Sequence, residues 1–105
     1  MEKKLLKTIC EIVSEYTDVT IEEIRGKSRR EDIVDARFMS IYICFQKLGI
    51  ATCVLCEYFS MTKQNISYAV GIFNDRKRER PYLGMAYKGV IQELKNNSII
   101  ELKPF

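Results

Sequence analysis

The chain is predicted to be all-α: a compact helical domain containing a helix-turn-helix, with a possible short strand at its C-terminal end. Three observations lead there. Apolar residues recur at helical spacing in successive stretches from Leu5 to Leu94. A hydroxyl residue is followed three positions later by glutamate at Thr20/Glu23 and again at Ser28/Glu31, the signature of a capped helix start. The segment Cys53 to Val70 reads as a short helix, a sharp turn at Phe59-Ser60-Met61, and a second helix whose outward face is polar or aromatic.

The first element follows from Leu5, Leu6, Ile9, Ile12, Val13 and Tyr16, whose spacing gives an amphipathic helix over 3–16 with Lys and Glu on its wet face. Thr20 then caps a short helix, Ile21 to Arg25, which Gly26 stops. Ser28 with Glu31 opens the longest periodic stretch, from Ile33 to Leu48, and Gly49 ends it. Its density of apolar residues marks it as the central helix. The helix-turn-helix occupies about 51–75, with Leu55, Cys56, Phe59, Met61, Ile66, Ala69 and Val70 as the apolar positions that hold its two helices together. Ser60 stands in the turn where glycine is common, and Thr62 is placed to cap the second helix. Pro81 suits the start of a last helix, Tyr82 to Lys95, closed by Asn96-Asn97. Ser98 to Lys103 alternates imperfectly and is β-prone, but one short strand needs a partner, so it is expected to lie on the core or pair with another chain.

Length and composition bound the function. At 105 residues, with 47% hydrophobic content, the chain is expected to be one domain, 1–105, too short for a catalytic domain plus a binding module. Its net charge of +3 is unevenly spread: residues 1–24 carry three Lys against six acids, while 25–47 carry six Lys or Arg against three acids. The positive field therefore lies near the motif. No apolar run approaches a membrane span, and the N-terminal segment reads as an amphipathic helix rather than a signal peptide, so a soluble, cytoplasmic, nucleoid-associated protein is expected. Cys10, Cys44, Cys53 and Cys56 each sit among apolar residues in helical patterns and the chain has no histidine, so reduced thiols are expected, and neither a metal nor a cofactor.

The candidate chemistry lies on two segments. The first turn of the second motif helix presents Thr62, Lys63, Gln64 and Asn65, with Ser67 and Tyr68 one turn on. Gln or Asn bonds adenine in bidentate fashion, Lys reaches guanine acceptors, and Ser or Thr bonds bases or phosphates. The same residues would also make an ordinary solvated helix face. Arg25, Lys27, Arg29 and Arg30 form a basic patch able to hold phosphates, or an ordinary charged loop. The run Arg76 to Arg80 fits either backbone contact or a solvated interhelix loop. An enzyme is not expected: there is no histidine base, and Gly84 to Gly89 imitates a phosphate loop but continues Val90-Ile91, without its lysine and hydroxyl. Those glycines are expected to permit close helix packing.

From about Ile9 to Leu94 the chain resembles the C-terminal DNA-binding domain of the bacterial replication initiator DnaA. The segments that carry the resemblance are Ile12 to Arg29, ending in Lys27-Ser28-Arg29, then Ile33-Val-Asp-Ala-Arg37, then Ile66-Ser-Tyr-Ala-Val70. It implies a Trp-repressor-like helix-turn-helix acting as a monomer on short duplex sites, with the recognition helix in the major groove and an arginine of the K-S-R segment in the adjacent minor groove. Lys27 and Arg29 fall on that segment and Arg37 on the arginine of the following helix, which extends the backbone set to Arg25, Lys27, Arg29, Arg30 and Arg37. Family members read G-G-R-D-H-T-T at the recognition helix, where this chain has Ser60 to Asn65, one residue shorter. The fold and docking mode transfer, while the target sequence does not.

The expected function is sequence-preferring binding of double-stranded DNA, in a regulator or replication-related protein. The alternative, of a different class, is a protein-interaction module that uses Tyr68, Tyr82 and Tyr87 or adds the tail as a strand. A weak homodimer through the last helix and tail is a further expectation.

Overall fold

Six α-helices account for most of the chain in a computed structural model that describes residues 2–99: α1 Glu2–Thr17, α2 Ile21–Arg25, α3 Glu31–Tyr42, α4 Thr52–Phe59, α5 Lys63–Glu79 and α6 Pro81–Asn96. Among the described residues there is no strand. The β-prone tail falls mostly outside them. Its first two residues close α6, where Ser98 takes a left-handed φ of 60° and the Ile99 amide donates to the Leu94 carbonyl, a C-terminal cap of the Schellman kind.

Helix starts follow side-chain chemistry at α2 and α5. Thr20 and Glu23 form a reciprocal capping box, as their spacing requires. The second capping signature does not form. Arg30 is the residue preceding α3, and the Ser28 hydroxyl instead accepts from the Arg30 amide within the loop. Asp32 takes over the cap's task by accepting from the Ile33 amide. The local turn wins because the Ser28 carbonyl is held by Arg37 from inside the fold. At its other end α3 widens into a π-helical turn, Ile43–Lys47, which Gly49 terminates at a φ of 65°.

The central element is α3. It packs against α1, α2 and α5, and every residue from Asp35 to Tyr42 is buried. Around it Leu6, Ile9 and Val13 of α1, Ile66 and Phe73 of α5, and Val90 and Leu94 of α6 complete one core. Each such side chain contributes roughly 1.5–3 kcal/mol through burial. The glycines of α6 do allow close approach. A Cβ on Gly84 would meet the Lys77 carbonyl at 2.7 Å, and one on Gly89 would meet the Tyr16 ring at 2.5 Å.

A helix buried on all sides must have its polar groups satisfied from within. Asp35, 3% exposed, accepts from Nη1 of Arg76 and Nη1 of Arg80, both at 2.8 Å, while Nη2 of Arg80 reaches Glu31, also at 2.8 Å. The basic run Arg76 to Arg80 is therefore not an interhelix loop, and Arg76 and Arg80 are engaged within the fold. Residues 76–79 continue α5 past Asp75, Arg76 and Arg80 pin α5 to α3, Arg78 pairs with Asp75, and Lys77 lies over the Tyr42 and Tyr87 rings at 5.7 and 5.6 Å. Asp35→Ala should lower unfolding stability by roughly 2 kcal/mol, because it removes the carboxylate that Arg76 and Arg80 share and leaves Arg80 with Glu31 alone. Urea denaturation followed by circular dichroism checks this, and a change under about 1 kcal/mol would contradict it.

Candidate nucleic-acid interface

The helix-turn-helix comprises α4, the turn Ser60-Met61-Thr62, and α5. Ser60 sits in the left-handed region at φ 54°, ψ 51°, which lets the chain reverse direction directly after α4. The Met61 amide donates to the Cys56 carbonyl across the turn. Thr62 then caps α5 by accepting from the Asn65 amide at 3.1 Å. Inward from the motif, Leu55, Phe59, Ile66, Ala69 and Phe73 are buried. The period of the helix consequently turns Thr62, Lys63, Gln64, Asn65, Ser67 and Tyr68 outward, and all six are exposed.

No side chain among Lys63, Gln64, Asn65, Ser67 and Tyr68 hydrogen-bonds to another described residue. Tyr68 is positioned by packing, its ring meeting Phe38 edge-on at 6.3 Å between centroids. The first turn of α5 holds no acidic residue, so its outward amides present the positive end of a long helix without a local counter-charge.

The loop between α2 and α3 lies against this turn. Together they enclose an open hollow of about 270 Å³, lined on one side by Lys27, Ser28, Arg29 and Arg37 and on the other by Met61 and Asn65. The two segments singled out from sequence, more than thirty positions apart, thus form one surface.

The five cations of that surface are not alike. Arg29 is exposed and has no hydrogen-bond or ion-pair partner among the described residues. Arg30 is exposed but makes a two-point pair with Asp32, at 3.1 and 2.9 Å; the pair raises the guanidinium pKa and lowers that of the carboxyl. Arg25 directs Nε and Nη2 to the Tyr58 carbonyl, and Lys27 directs Nζ to the Ser60 carbonyl. Arg37 is 8% exposed and points inward, donating to the carbonyls of Ile24, Ser28 and Glu23 at 2.8, 3.1 and 3.1 Å. Burial lowers its pKa, though a guanidinium stays charged. In this geometry Arg37, placed by the resemblance among the backbone contacts, ties the end of α2 and the basic loop to α3.

Residues the motif alone does not reveal are Asp35 with Arg76 and Arg80, and Phe38 beneath Tyr68. Asp35 did carry a signal: a lone acid within the apolar run Ile33 to Met39 needs a cationic partner if the helix is buried. Among the described residues no group of three or more His, Cys, Asp or Glu side chains is arranged to hold a metal, and no helix is long and apolar enough to cross a membrane. The four thiols are unpaired: Cys10 and Cys44 are buried, Cys56 is half-buried and Cys53 is exposed.

These elements define the chain as a helix-turn-helix domain with a basic loop set against its turn. The sequence profile of the family described as bacterial dnaA protein helix-turn-helix matches residues 6–70, from α1 into the first half of α5. The chain belongs to that family. It is similar to the chromosomal replication initiator protein DnaA of Nautilia profundicola, at 28% identity over 92 residues, which is 87% of this chain and 20% of the relative. The chain thus spans about a fifth of that protein's length.

The burial pattern of the thiols has a measurable outcome. Burial pushes the Cys10 thiol up to about 11 and raises that of Cys44 too, so few thiolates form there at pH 8. Iodoacetamide at pH 8 should modify Cys53 first and reach Cys10 and Cys44 only after denaturant is added, as mapped by peptide mass spectrometry. Early modification of Cys10 would contradict its place in the core.

Proposed function

We propose that this domain binds double-stranded DNA, with the first turns of α5 in the major groove and the basic loop on the adjacent backbone or minor groove. The carrying observation is the single surface on which Lys63, Gln64, Asn65, Ser67 and Tyr68, without partners of their own among the described residues, adjoin a loop that exposes Arg29. Membership of the DnaA helix-turn-helix family supports it. Lys63, Gln64, Asn65 and Ser67 face bases, Thr62 and Tyr68 flank them, and Arg29 and Arg30 hold phosphate or enter the minor groove. The preferred site differs from that of the initiators because the recognition turn has its own sequence, Ser60 to Asn65. A replication-related or regulatory role at the nucleoid, in the cytoplasm, follows from this reading.

A second reading rests on α6, where Tyr82 and Met85 are 63% and 73% exposed. They favour a protein partner on that helix. Tyr87 does not join them, since it packs against Tyr42 and Phe73.

Selection of bound duplexes from a random library, followed by fluorescence anisotropy at several salt concentrations, tests the main reading. Some three to six phosphate contacts give a log–log salt slope of roughly −3 to −5. Arg29→Ala should weaken binding to all sequences alike, whereas Gln64→Ala should cost about 1–3 kcal/mol on the selected site and little elsewhere. A slope near zero with no enriched site would remove DNA as the ligand and put the α6 partner first.

A further inference from the structure

We infer that Arg25 and Lys27 are positioning residues, which clamp the basic loop to the helix-turn-helix turn and so set the spacing between the loop's DNA contact and the recognition helix. The inference rests on the DNA-binding reading and assigns these two cations a role other than holding phosphate.

The geometry begins at the end of α4. The carbonyls of Tyr58 and Ser60 accept no backbone amide among the described residues, because α4 stops at Phe59 and the chain turns left-handed at Ser60. Such carbonyls at a helix C-terminus carry the negative end of its dipole. Arg25 supplies both Nε and Nη2 to the Tyr58 carbonyl at 3.2 Å each, with its guanidinium 4.0 Å above the Tyr58 ring. Lys27 supplies Nζ to the Ser60 carbonyl. Both cations therefore close the end of α4 from a segment 33 residues away in sequence.

On the other side of the clamp, Lys27 lies two residues before Arg29, and the intervening Ser28 carbonyl is fixed by Arg37. Beyond Ser60, Thr62 caps α5 and places Gln64 and Asn65. The chain of contacts thus runs from the buried Arg37 through the loop to the turn and on to the recognition helix. Two reading elements at the wrong spacing would each still meet DNA, but not both at one site. Loss of the clamp should therefore reduce preference among sites more than it reduces binding to duplex in general.

The test compares the wild-type protein with Arg25→Met/Lys27→Met and with Arg29→Met. Hydrogen exchange without DNA reads the clamp directly at the amides of Met61 and Asn65, and anisotropy reads the salt slope on random duplex and the affinity ratio of selected to random duplex. In the double variant the turn amides should exchange about tenfold faster. Its affinity ratio should fall about tenfold. Its salt slope should stay within about half a unit of wild type, because neither cation is released from phosphate. Arg29→Met should do the reverse, leaving exchange unchanged and making the slope shallower by about 0.9. A double variant whose slope becomes shallower by about 0.9 per cation, with exchange and ratio unchanged, overturns the inference and returns both residues to phosphate. Wild-type protein that binds no duplex overturns the DNA-binding reading and the coupling with it, whereas unchanged turn exchange overturns the clamp alone.

Discussion

The burial of α3 on every side is the constraint from which the rest of the molecule follows. A fully enclosed helix gives the core a continuous apolar centre, but it also takes Asp35, Arg37 and Ser40 out of water. Each needs an internal partner. Ser40 donates to the Ala36 carbonyl within its own helix, Asp35 recruits the far end of α5, and Arg37 recruits the end of α2 and the loop after it. Among the described residues no buried side-chain nitrogen or oxygen lacks a hydrogen-bond partner. The polar groups of one helix thereby dictate where three other segments lie.

The basic loop takes its place from that arrangement. Left to itself, a loop rich in arginine and lysine would repel itself and swing. Here its inner side is fixed to α3 by Arg37 and its outer side faces the carbonyls at the end of α4. Its charge is therefore divided between work inside the protein and work at the surface, with Arg29 as the exposed member that has no partner among the described residues. The recognition helix is held in the same way from both ends. Thr62 caps its start, and Arg76 and Arg80 anchor its finish to Asp35.

What was legible in the sequence was local. Helical spacing together with capping and stop signals located all six helices, and threonine at a cap position correctly opened α2 and α5. The serine at Ser28 misled, because the same hydroxyl can cap a helix or stabilise a turn, and the choice fell to a carbonyl contact from Arg37. The end of α5 was set four residues short for a related reason. The run from Arg76 to Arg80 looks like a solvated loop unless one knows that a buried carboxylate lies opposite.

The sequence by itself determined the class of fold, the motif, the exposed face of the recognition helix and the family, because periodicity, capping and turn chemistry act over a few residues. The tertiary structure alone decided which cations are tied into the fold and which stay open at the surface. Arg25, Lys27, Arg29, Arg30 and Arg37 are chemically alike in one dimension, and what separates them is the distance from each to a carbonyl or carboxylate. Most of those acceptors belong to other elements, brought near only when the chain closes around α3.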